Sequence, residues 1–320
     1  MKFDRFAIRI GLIILLAACF TPAFSQYQIS GPNTTVPGGQ LIYYFDLINN
    51  DTGTFSIKNV GPSLVFLHVQ VINEDCEELF NFLTSLEPNC ARSWDLRKFV
   101  LNKMHGSADL INNRGMIFVT PTYSTIGYAA LPYNHLVGSI VIANSKTRTS
   151  YGMNAIARPA IDSTGNLLPD SNTPLNGTTS RFQIIRPKML HLDHFFPLQV
   201  LTDSRLAIVA FVDVYTSSNY YVTSPSGIGS FHMMGGTEDC AKLSIPALDY
   251  FCMLDVQLKN ILGGTIAYYN QSSGSLEMTP MSEFDTNENL FGFFFESLGP
   301  YASARPLWVV PDDGPVGGKK

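Results

Sequence analysis

Apolar residues in this chain alternate with polar ones at every second position and rarely recur every three or four residues. A period of two is typical of strands, whose successive side chains point to opposite faces. The clearest segment places four aliphatic residues on one face and three other residues on the opposite face: Val65, Leu67, Val69 and Val71 against Phe66, His68 and Gln70. A second segment sets Leu206, Ile208, Ala210, Val212 and Val214 against Ala207, Val209, Phe211 and Asp213. The pattern predicts a β protein.

Seven further segments have the length and residue types of strands. They are Leu41–Ile48, Thr54–Val60, Gly115–Thr122, Val137–Ala143, Phe251–Leu258, Gly264–Tyr269 and Leu290–Glu296. Turn residues separate them, as at Pro37-Gly38-Gly39, Asn49-Asn50-Asp51, Ser224-Pro225-Ser226-Gly227 and Gly235-Gly236. Short strands at this spacing favour sandwiches or barrels. The sequence predicts one helix, Trp94–Met104, with a strand and a following turn as the alternative.

Two distant stretches share one cysteine-centred pattern. The first contains Glu74-Asp75-Cys76, Leu79, Cys90, Asp95-Leu96 and Ala157-Arg158-Pro159. The second contains Glu238-Asp239-Cys240, Leu243, Cys252, Asp255-Val256 and Ala304-Arg305-Pro306. Shared order with unequal spacing indicates a duplicated domain whose loops have changed length. We therefore expect two tandem β-sandwich domains, residues 26–161 and 180–308, joined by a linker or long loop at 162–179 and followed by a flexible tail at 309–320.

Residues 1–25 have the three parts of an export signal. Lys2, Arg5 and Arg9 give a positive start, and Ile10–Ala18 is an apolar stretch too short to span a bilayer. Small residues in Ala23-Phe24-Ser25 suit a signal peptidase, which would leave Gln26 at the N-terminus. The sequence thus predicts an exported protein in a periplasmic, outer-surface or extracellular location.

A second processing route is open at the same end of the chain. Leu16-Ala17-Ala18-Cys19 resembles a bacterial lipobox, in which Cys19 would be lipidated and anchor the protein. We expect ordinary cleavage because residues 20–25 complete a signal-peptide end and lack the Ser/Gly-rich tether common after a lipidated cysteine.

Four further cysteines remain by either route. An even count in an exported chain predicts two disulfides, and four cysteines allow three pairings. The repeat selects Cys76–Cys90 and Cys240–Cys252, one short-loop disulfide in each domain.

The composition excludes some partners. Charged residues make up 15% of the chain, against about 25% in an average globular domain. The formal net charge is −5, with no basic stripe, which disfavours nucleic acid and anionic membrane as partners, and we expect no nucleic-acid partner. We expect no transmembrane segment after signal cleavage.

His191, Asp193 and His194 form a cluster of residue types that bind zinc. On a strand, however, His191 and Asp193 share one face while His194 points to the other, which is awkward for a single ion. We therefore expect histidines flanking the aromatic segment that follows them.

Asp285, Asn287 and Asn289 match the first ligand positions of a calcium loop. Leu290 occupies the position where that loop requires glycine, and an aromatic strand follows. We expect a polar turn, with a looser calcium contact as the alternative. The sequence predicts no metal and no cofactor.

Catalytic motifs are missing, whereas paired tyrosines are frequent. The chain has no Gly-x-Ser-x-Gly, Ser-x-x-Lys or His-Glu-x-x-His motif. The acids around Cys76 are interpreted as a solvated edge, because the second copy lacks two of them. Tyr43-Tyr44, Tyr220-Tyr221 and Tyr268-Tyr269 each allow one ring to face outward, as at carbohydrate- or protein-binding faces.

The export signal, the low charge and the repeated cysteine-bearing β module resemble uncharacterised exported bacterial proteins with immunoglobulin-like domains. The resemblance is generic and rests on Thr54–Leu96 and on the partner region Arg205–Val256. It implies two tandem immunoglobulin-like β-sandwiches and names no activity or functional residue.

Our first hypothesis is a non-enzymatic protein for adhesion, assembly or surface display, with a protein or glycan partner at the cell surface. The alternatives are a carbohydrate-binding protein that uses outward tyrosines and a hydrolase with a site near His191, Asp193 and His194.

Overall fold

The computed structural model describes residues 36–48, 50, 52–98, 113–123, 127–185, 187–223, 231–235, 242–244, 252–262, 274–280, 288–299 and 301–311. Nearly all of the regular structure in these residues is β. One short helix is α1 (Leu258–Leu262), and residues 96–98 form a helical turn. Among the described residues, none of the helices has the length and apolar character needed to cross a membrane.

Two antiparallel sheets contain the strands up to residue 158. The strands of sheet I are β1 (Gln40–Asp46), β3 (Val65–Asn73), β4 (Glu78–Leu86), β6 (Arg114–Thr122) and β9 (Ile156–Arg158). Those of sheet II are β2 (Thr52–Asn59), β5 (Ala91–Asp95), β7 (Leu136–Asn144) and β8 (Thr149–Asn154). The order is β4-β3-β6-β1-β9 in sheet I and β5-β2-β7-β8 in sheet II.

Two more antiparallel sheets contain most of the remaining strands. Sheet III consists of β13 (Asp203–Tyr215), β14 (Tyr220–Thr223), β17 (Met253–Gln257), β19 (Glu288–Leu298) and β20 (Tyr301–Pro306). Sheet IV consists of β12 (Pro187–Phe195), β15 (Phe231–Gly235), β16 (Lys242–Ser244), β18 (Gly274–Pro280) and β21 (Trp308–Pro311). Sheet IV has the order β16-β15-β18-β12-β21. In sheet III, β13 pairs with β14 and β17 on one side and with β19 on the other, and β20 follows β19.

The sheets correspond in strand order. The strands of each half can be numbered in chain order, from β1 in the first half and from β12 in the second, with β14 left out. In that numbering the order of sheet I matches the order of sheet IV strand for strand. Sheet II matches the path β17-β13-β19-β20 of sheet III in the same way. Strand β14 is an addition to sheet III, and the two-stranded sheet of β10 (Ala160–Asp162) and β11 (Ser180–Phe182) lies between the two halves of the chain.

Sheets I and III pack against each other in the centre of the molecule. Tyr43 of β1 contacts Phe55 of sheet II on one face, and Tyr44 contacts Phe295 of sheet III on the other. Sheet III is covered on its second face, where β12 of sheet IV packs on β19. Strands β1 and β19 are therefore buried along almost their whole length, whereas β2 and β8 of sheet II alternate between buried and more exposed positions.

Most of the predicted strands are confirmed, including both segments with alternating faces. The predicted strand Gly264–Tyr269 lies outside the described residues. The predicted helix is wrong at its start, because Trp94 belongs to β5 and only residues 96–98 of its described part are helical. The predicted tail begins too early, since residues 309–311 are part of β21 and pair with β12.

Segment 162–179, predicted as a linker or long loop, connects β10 to β11. The two strands pair from Ala160 with Phe182 to Asp162 with Ser180, which brings the ends of the segment together. Leu175 inside the segment is buried, and its N–H donates to the carbonyl of Ala130 at 2.8 Å. The segment thus packs on the connection between β6 and β7.

The disulfide differs from the predicted pairing. Cys76 bonds to Cys252, with 5.2 Å between their Cα atoms and 176 residues between them in the chain. Cys90 is an exposed free cysteine, and Cys240 lies outside the described residues. Cys76 and Cys90 lie at opposite ends of β4, and a strand of nine residues extends about 30 Å, whereas bonded cysteines need Cα atoms within about 7 Å. The predicted Cys76–Cys90 and Cys240–Cys252 bonds are therefore wrong.

Candidate ligand site between sheets I and III

A cavity of about 330 Å³ opens where sheets I and III meet beside the disulfide. Strands β3 and β4 contribute one wall, and β14 contributes the opposite wall. The lining residues with polar atoms include His68, Gln70, Glu78, Asn81, Tyr128 and Tyr221. This volume lies near the lower end of small-molecule sites, which measure about 300–1,000 Å³.

The alternation of β3 explains why polar side chains reach this cavity. Val69 and its neighbours on the same face pack toward sheet II, so His68 and Gln70 point toward sheet III. Because sheet III covers that face, His68 is only 3% exposed and Gln70 only 5% exposed. Positions that would face solvent in a single sandwich are buried here.

Three buried atoms in the cavity wall make no hydrogen bond of good geometry within the protein. They are both ring nitrogens of His68 and Oε1 of Gln70. A buried polar atom without a partner costs about 1–3 kcal/mol, so native proteins rarely leave several together. The cavity therefore has to supply polar groups of water or of a ligand at these positions.

His68 is a neutral imidazole at neutral pH. Burial lowers its pKa to about 4, against the opposing effects of the Glu78 charge and of the nearby Asn81 side chain. A neutral imidazole has one N–H donor and one acceptor nitrogen. Gln70 donates its Nε2 hydrogen to Glu78 Oε2 at 2.7 Å, which holds the amide so that Oε1 remains free to accept.

Two tyrosines add ring surface to the cavity. The Tyr128 ring lies 4.5 Å from the His68 ring, with 51° between their planes. The backbone carbonyl of Tyr128 accepts a hydrogen bond from the N–H of Tyr220 at 3.0 Å, which joins this loop to β14. Tyr221, the next residue of β14, is 38% exposed and lines the opposite wall. Rings on two walls provide apolar surface beside the unpartnered polar atoms.

The cavity depends on a junction that is held by buried ions. Arg158 of sheet I forms an ion pair with Asp213 of sheet III and donates to Gln40 Oε1 at 2.7 Å. In the opposite direction, Arg205 of sheet III reaches Asp46 of sheet I at 2.7 Å. These reciprocal pairs fix the two central sheets relative to each other.

A tyrosine and a carboxylate complete the second ion cluster. Tyr44 donates to Asp255 Oδ2 at 2.7 Å, and Arg205 also reaches that oxygen at 3.0 Å. Burial raises the pKa of Tyr44 well above its usual value, and Asp255 and Asp46 add to this rise. The hydroxyl therefore stays protonated and keeps donating across the junction.

Two larger clefts differ from the junction cavity in one respect. A cleft of about 510 Å³ includes Tyr123 and Asp170, and another of about 490 Å³ includes Tyr151 and Gln257. Among the described residues, none of the buried polar atoms without a protein partner belongs to a lining residue of either cleft. A third cleft, of about 220 Å³, contains Arg181 with a buried unpartnered Nε but is smaller than the usual ligand site of about 300–1,000 Å³. We therefore regard the junction cavity as the candidate site.

The three residues considered for zinc lie on β12 of sheet IV and do not line the junction cavity. His191 Nε2 is 3.1 Å from Asp193 Oδ1, whereas the His194 ring packs on Phe196 with 5.2 Å between centroids. The structure therefore brings His191 and Asp193 together and separates His194 from them, as the strand alternation indicates. Within the described part of the chain, no group of three or more His, Cys, Asp or Glu side chains could hold a metal ion.

The described residue of the predicted calcium pattern has a structural role. Asn289 donates to Asp213 Oδ2 at 3.1 Å and accepts from the N–H of Ile185 at 3.0 Å. Its side chain is fully buried, so Asn289 is not available to an ion in a surface loop. Asp285 and Asn287 lie outside the described residues, as does the lipidation candidate Cys19.

The outward tyrosines are confirmed at one position only. Tyr43 and Tyr44 are both buried because sheet I is covered on both faces, and Tyr220 is also buried. Tyr221 points outward, into the mouth of the cavity. The pair at residues 268–269 lies outside the described residues.

Sequence reasoning missed His68 and Gln70 as candidates. They occupy the non-aliphatic face of β3, which an isolated strand would turn to water. A usable signal exists on β1, where Ile42 and Tyr44 alternate with the equally apolar Leu41 and Tyr43. Since β1 and β3 both pair with β6, apolar residues on both faces of β1 indicate that both faces of this sheet are covered.

Comparison with known proteins adds little to this description. No protein-family model matches the chain, and no curated protein matches it. A search of solved structures finds the α-L-rhamnosidase of Streptomyces avermitilis complexed with L-rhamnose, with 10% sequence identity and a TM-score of 0.22. The match covers 86% of this chain and 26% of that one, so this chain spans about a quarter of that protein's length. A likeness this low carries no argument about function.

Proposed function

We propose that this protein is an exported binding protein, without catalytic activity, that holds one saccharide unit in the junction cavity. The observation that supports this most strongly is the set of three buried polar atoms without a protein partner, on His68 and Gln70. A sugar hydroxyl both donates and accepts, so neighbouring hydroxyls of one ring satisfy a donor nitrogen, an acceptor nitrogen and an amide oxygen. The rings of Tyr128 and Tyr221 offer surface for the apolar faces of the sugar.

The cavity wall favours binding over hydrolysis. Glycosidases use two carboxyl groups that flank the scissile bond at about 5–10 Å from each other. Glu78 is the one carboxylate among the described lining residues, and it accepts hydrogen bonds from Gln70 and Asn81. Cys76 lines the cavity too, but its sulfur is bonded to Cys252 and is no nucleophile.

We further propose that the two halves are tandem β-sandwich domains of immunoglobulin-like type that arose by duplication. The matching strand orders of the sheets support this, as do the repeated cysteine tokens. The export signal and the long-range disulfide both suit an oxidising compartment outside the cytoplasm.

Adhesion or surface display is a second candidate function, and one observation favours it. A disulfide and two buried ion clusters connect the two halves, which suits a protein that has to resist force or proteolysis at a cell surface. The hydrolase hypothesis near His191 has no such support, since none of the described cavities is lined by His191 or Asp193.

The test is a calorimetric titration of the mature chain with a panel of neutral monosaccharides and disaccharides. We expect at least one of them to bind, and we expect His68→Phe to weaken that binding by about tenfold or more because two hydrogen bonds are lost. His135→Phe is the matched control, since His135 is half-exposed, pairs with Asp170 and does not line the cavity. Absence of binding by every sugar, or equal binding by the His68→Phe variant, would overturn the proposal.

A further inference from the structure

The charges around the junction cavity are almost all negative. Among its described lining residues, the charged side chain is Glu78, and none is a lysine or arginine. The adjoining turn adds Glu74, Asp75 and Glu77. Glu74 is paired with Arg114 at 2.6 Å, whereas Asp75, Glu77 and Glu78 form no ion pair with the described residues. A ligand that enters this site therefore meets uncompensated negative charge.

The wall also has more acceptors than donors. Gln70 Oε1 can only accept, and each oxygen of Glu78 accepts one amide hydrogen and keeps a further lone pair. His68 adds one acceptor and one donor, because its ring is neutral. A group with several donors and no acceptor fits Gln70 Oε1 and Glu78 better than a hydroxyl does, and it leaves His68 to the neighbouring hydroxyls of the sugar. A protonated amine is such a group, since it carries three donors and a positive charge.

We propose that the bound saccharide unit is an amino sugar, held with its protonated amine between Glu78 and Gln70. This inference rests on the proposed function, because it specifies the ligand of the same cavity. Acidic residues alone do not indicate a ligand site. The independent observation is that His68 and Gln70, beside these acids, are buried and have unpartnered polar atoms. The rings of Tyr128 and Tyr221 also suit a cation, because the faces of aromatic rings carry negative potential.

The same charges exclude other sugar classes. A uronic acid would place a carboxylate next to Glu78 without a cation to compensate it. An N-acetylated amino sugar lacks the charge and presents one amide donor in place of three. Because Glu78 is an exposed carboxylate at the rim, we expect a free amine to improve affinity by about five- to tenfold, and less at high salt.

The experiment compares glucosamine, N-acetylglucosamine, glucose and glucuronic acid in titrations of the mature chain at pH 7. We expect glucosamine to bind about five- to tenfold more tightly than glucose, and glucuronic acid to bind most weakly. Glu78→Gln should reduce the ratio of glucosamine affinity to glucose affinity to about one, because the charge that favours the amine is gone. Asp75→Asn is the matched control, since it removes the same charge from the adjoining turn at a residue that does not line the cavity.

The outcomes separate the two proposals. Binding of glucose and glucosamine with equal affinity, or a preference that survives in Glu78→Gln, would overturn the amino-sugar inference and leave the binding function standing. Failure of all four sugars and of the wider neutral panel would overturn the binding function itself.

Discussion

Strands β5 and β17 occupy the same place in their sheets, and a cysteine immediately precedes each of them. Cys90 before β5 is exposed and free, whereas Cys252 before β17 is fully buried and bonded to Cys76. The difference lies in the surroundings, since β5 belongs to outer sheet II and β17 to central sheet III. Corresponding positions in the two halves therefore have different partners, because sheet III packs on sheet I across the junction, whereas its counterpart sheet II meets sheet III through its edge strand β8.

The two Ala-Arg-Pro segments also differ in their surroundings. Arg158 is 1% exposed and forms its ion pair with Asp213 across the junction. Arg305 is more exposed, lies 3.4 Å from Glu296 of its own sheet and stacks over Phe294. The tokens also occupy different strands, β9 in one half and β20 in the other. A repeated sequence token thus does not guarantee a repeated role.

The largest expected effect comes from removing the central arginine. Arg158→Met should destabilise the protein by about 3–5 kcal/mol, because it leaves the carboxylate of Asp213 buried without its cation. Arg305→Met should cost less, about 1–2 kcal/mol, because the Arg305 side chain is 37% exposed even though its partner Glu296 is buried. Urea unfolding of both variants measures the contrast. Equal losses of stability would contradict the division into central and outer positions.

The next effect concerns the cysteines. Cys252→Ala should destabilise the oxidised protein by about 2–5 kcal/mol, because the bond closes a loop of 176 residues. It should also lower the affinity of the junction cavity for its ligand, since Cys76 lines that cavity. Cys90→Ala should change stability by about 0.5 kcal/mol or less. Thermal unfolding under non-reducing conditions distinguishes the two, and a larger loss for Cys90→Ala would refute the assignment.

A smaller effect follows from the titration of His68. Its pKa is about 4 in the folded protein and about 6.5 when unfolded, so the unfolded chain binds the extra proton first as the pH falls. The stability that depends on neutral His68 is thus fully present above about pH 6.5 and is lost as the pH falls toward 4, by up to about 3 kcal/mol. His68→Phe should lack this part of the acid destabilisation. Unfolding free energies of the two proteins between pH 7 and 4 should diverge, and parallel curves would contradict the burial of a neutral imidazole.

The smallest expected change is a gain in stability. At pH 7, His68→Phe replaces two unpartnered nitrogens by carbon in a ring of similar shape, and we expect it to stabilise the unliganded protein by about 1 kcal/mol. The same variant is expected to bind the saccharide more weakly, so its stability and its affinity should change in opposite directions. A destabilised His68→Phe protein would indicate that the imidazole has partners inside the protein.

The strands were largely predictable, but their burial was not. Alternation at Val65–Val71 and Leu206–Val214 identifies strands correctly, because side-chain direction follows from the backbone alone. Whether His68 meets water or another sheet depends on contacts between residues that are far apart in the chain. Cys90 is the nearest cysteine to Cys76 in the sequence, but the extended strand β4 lies between them and separates them in space. The true partner, Cys252, is distant in the chain and could not be inferred from sequence spacing.

Non-reducing peptide mapping tests most directly whether the two halves meet and form the cavity. We predict one cross-linked species that joins the peptide containing Cys76 to the peptide containing Cys252, with Cys90 open to alkylation without reduction. Recovery of Cys76 linked to Cys90, or of Cys252 linked to Cys240, would contradict this account. Either bond would release the covalent link that closes the cavity beside His68.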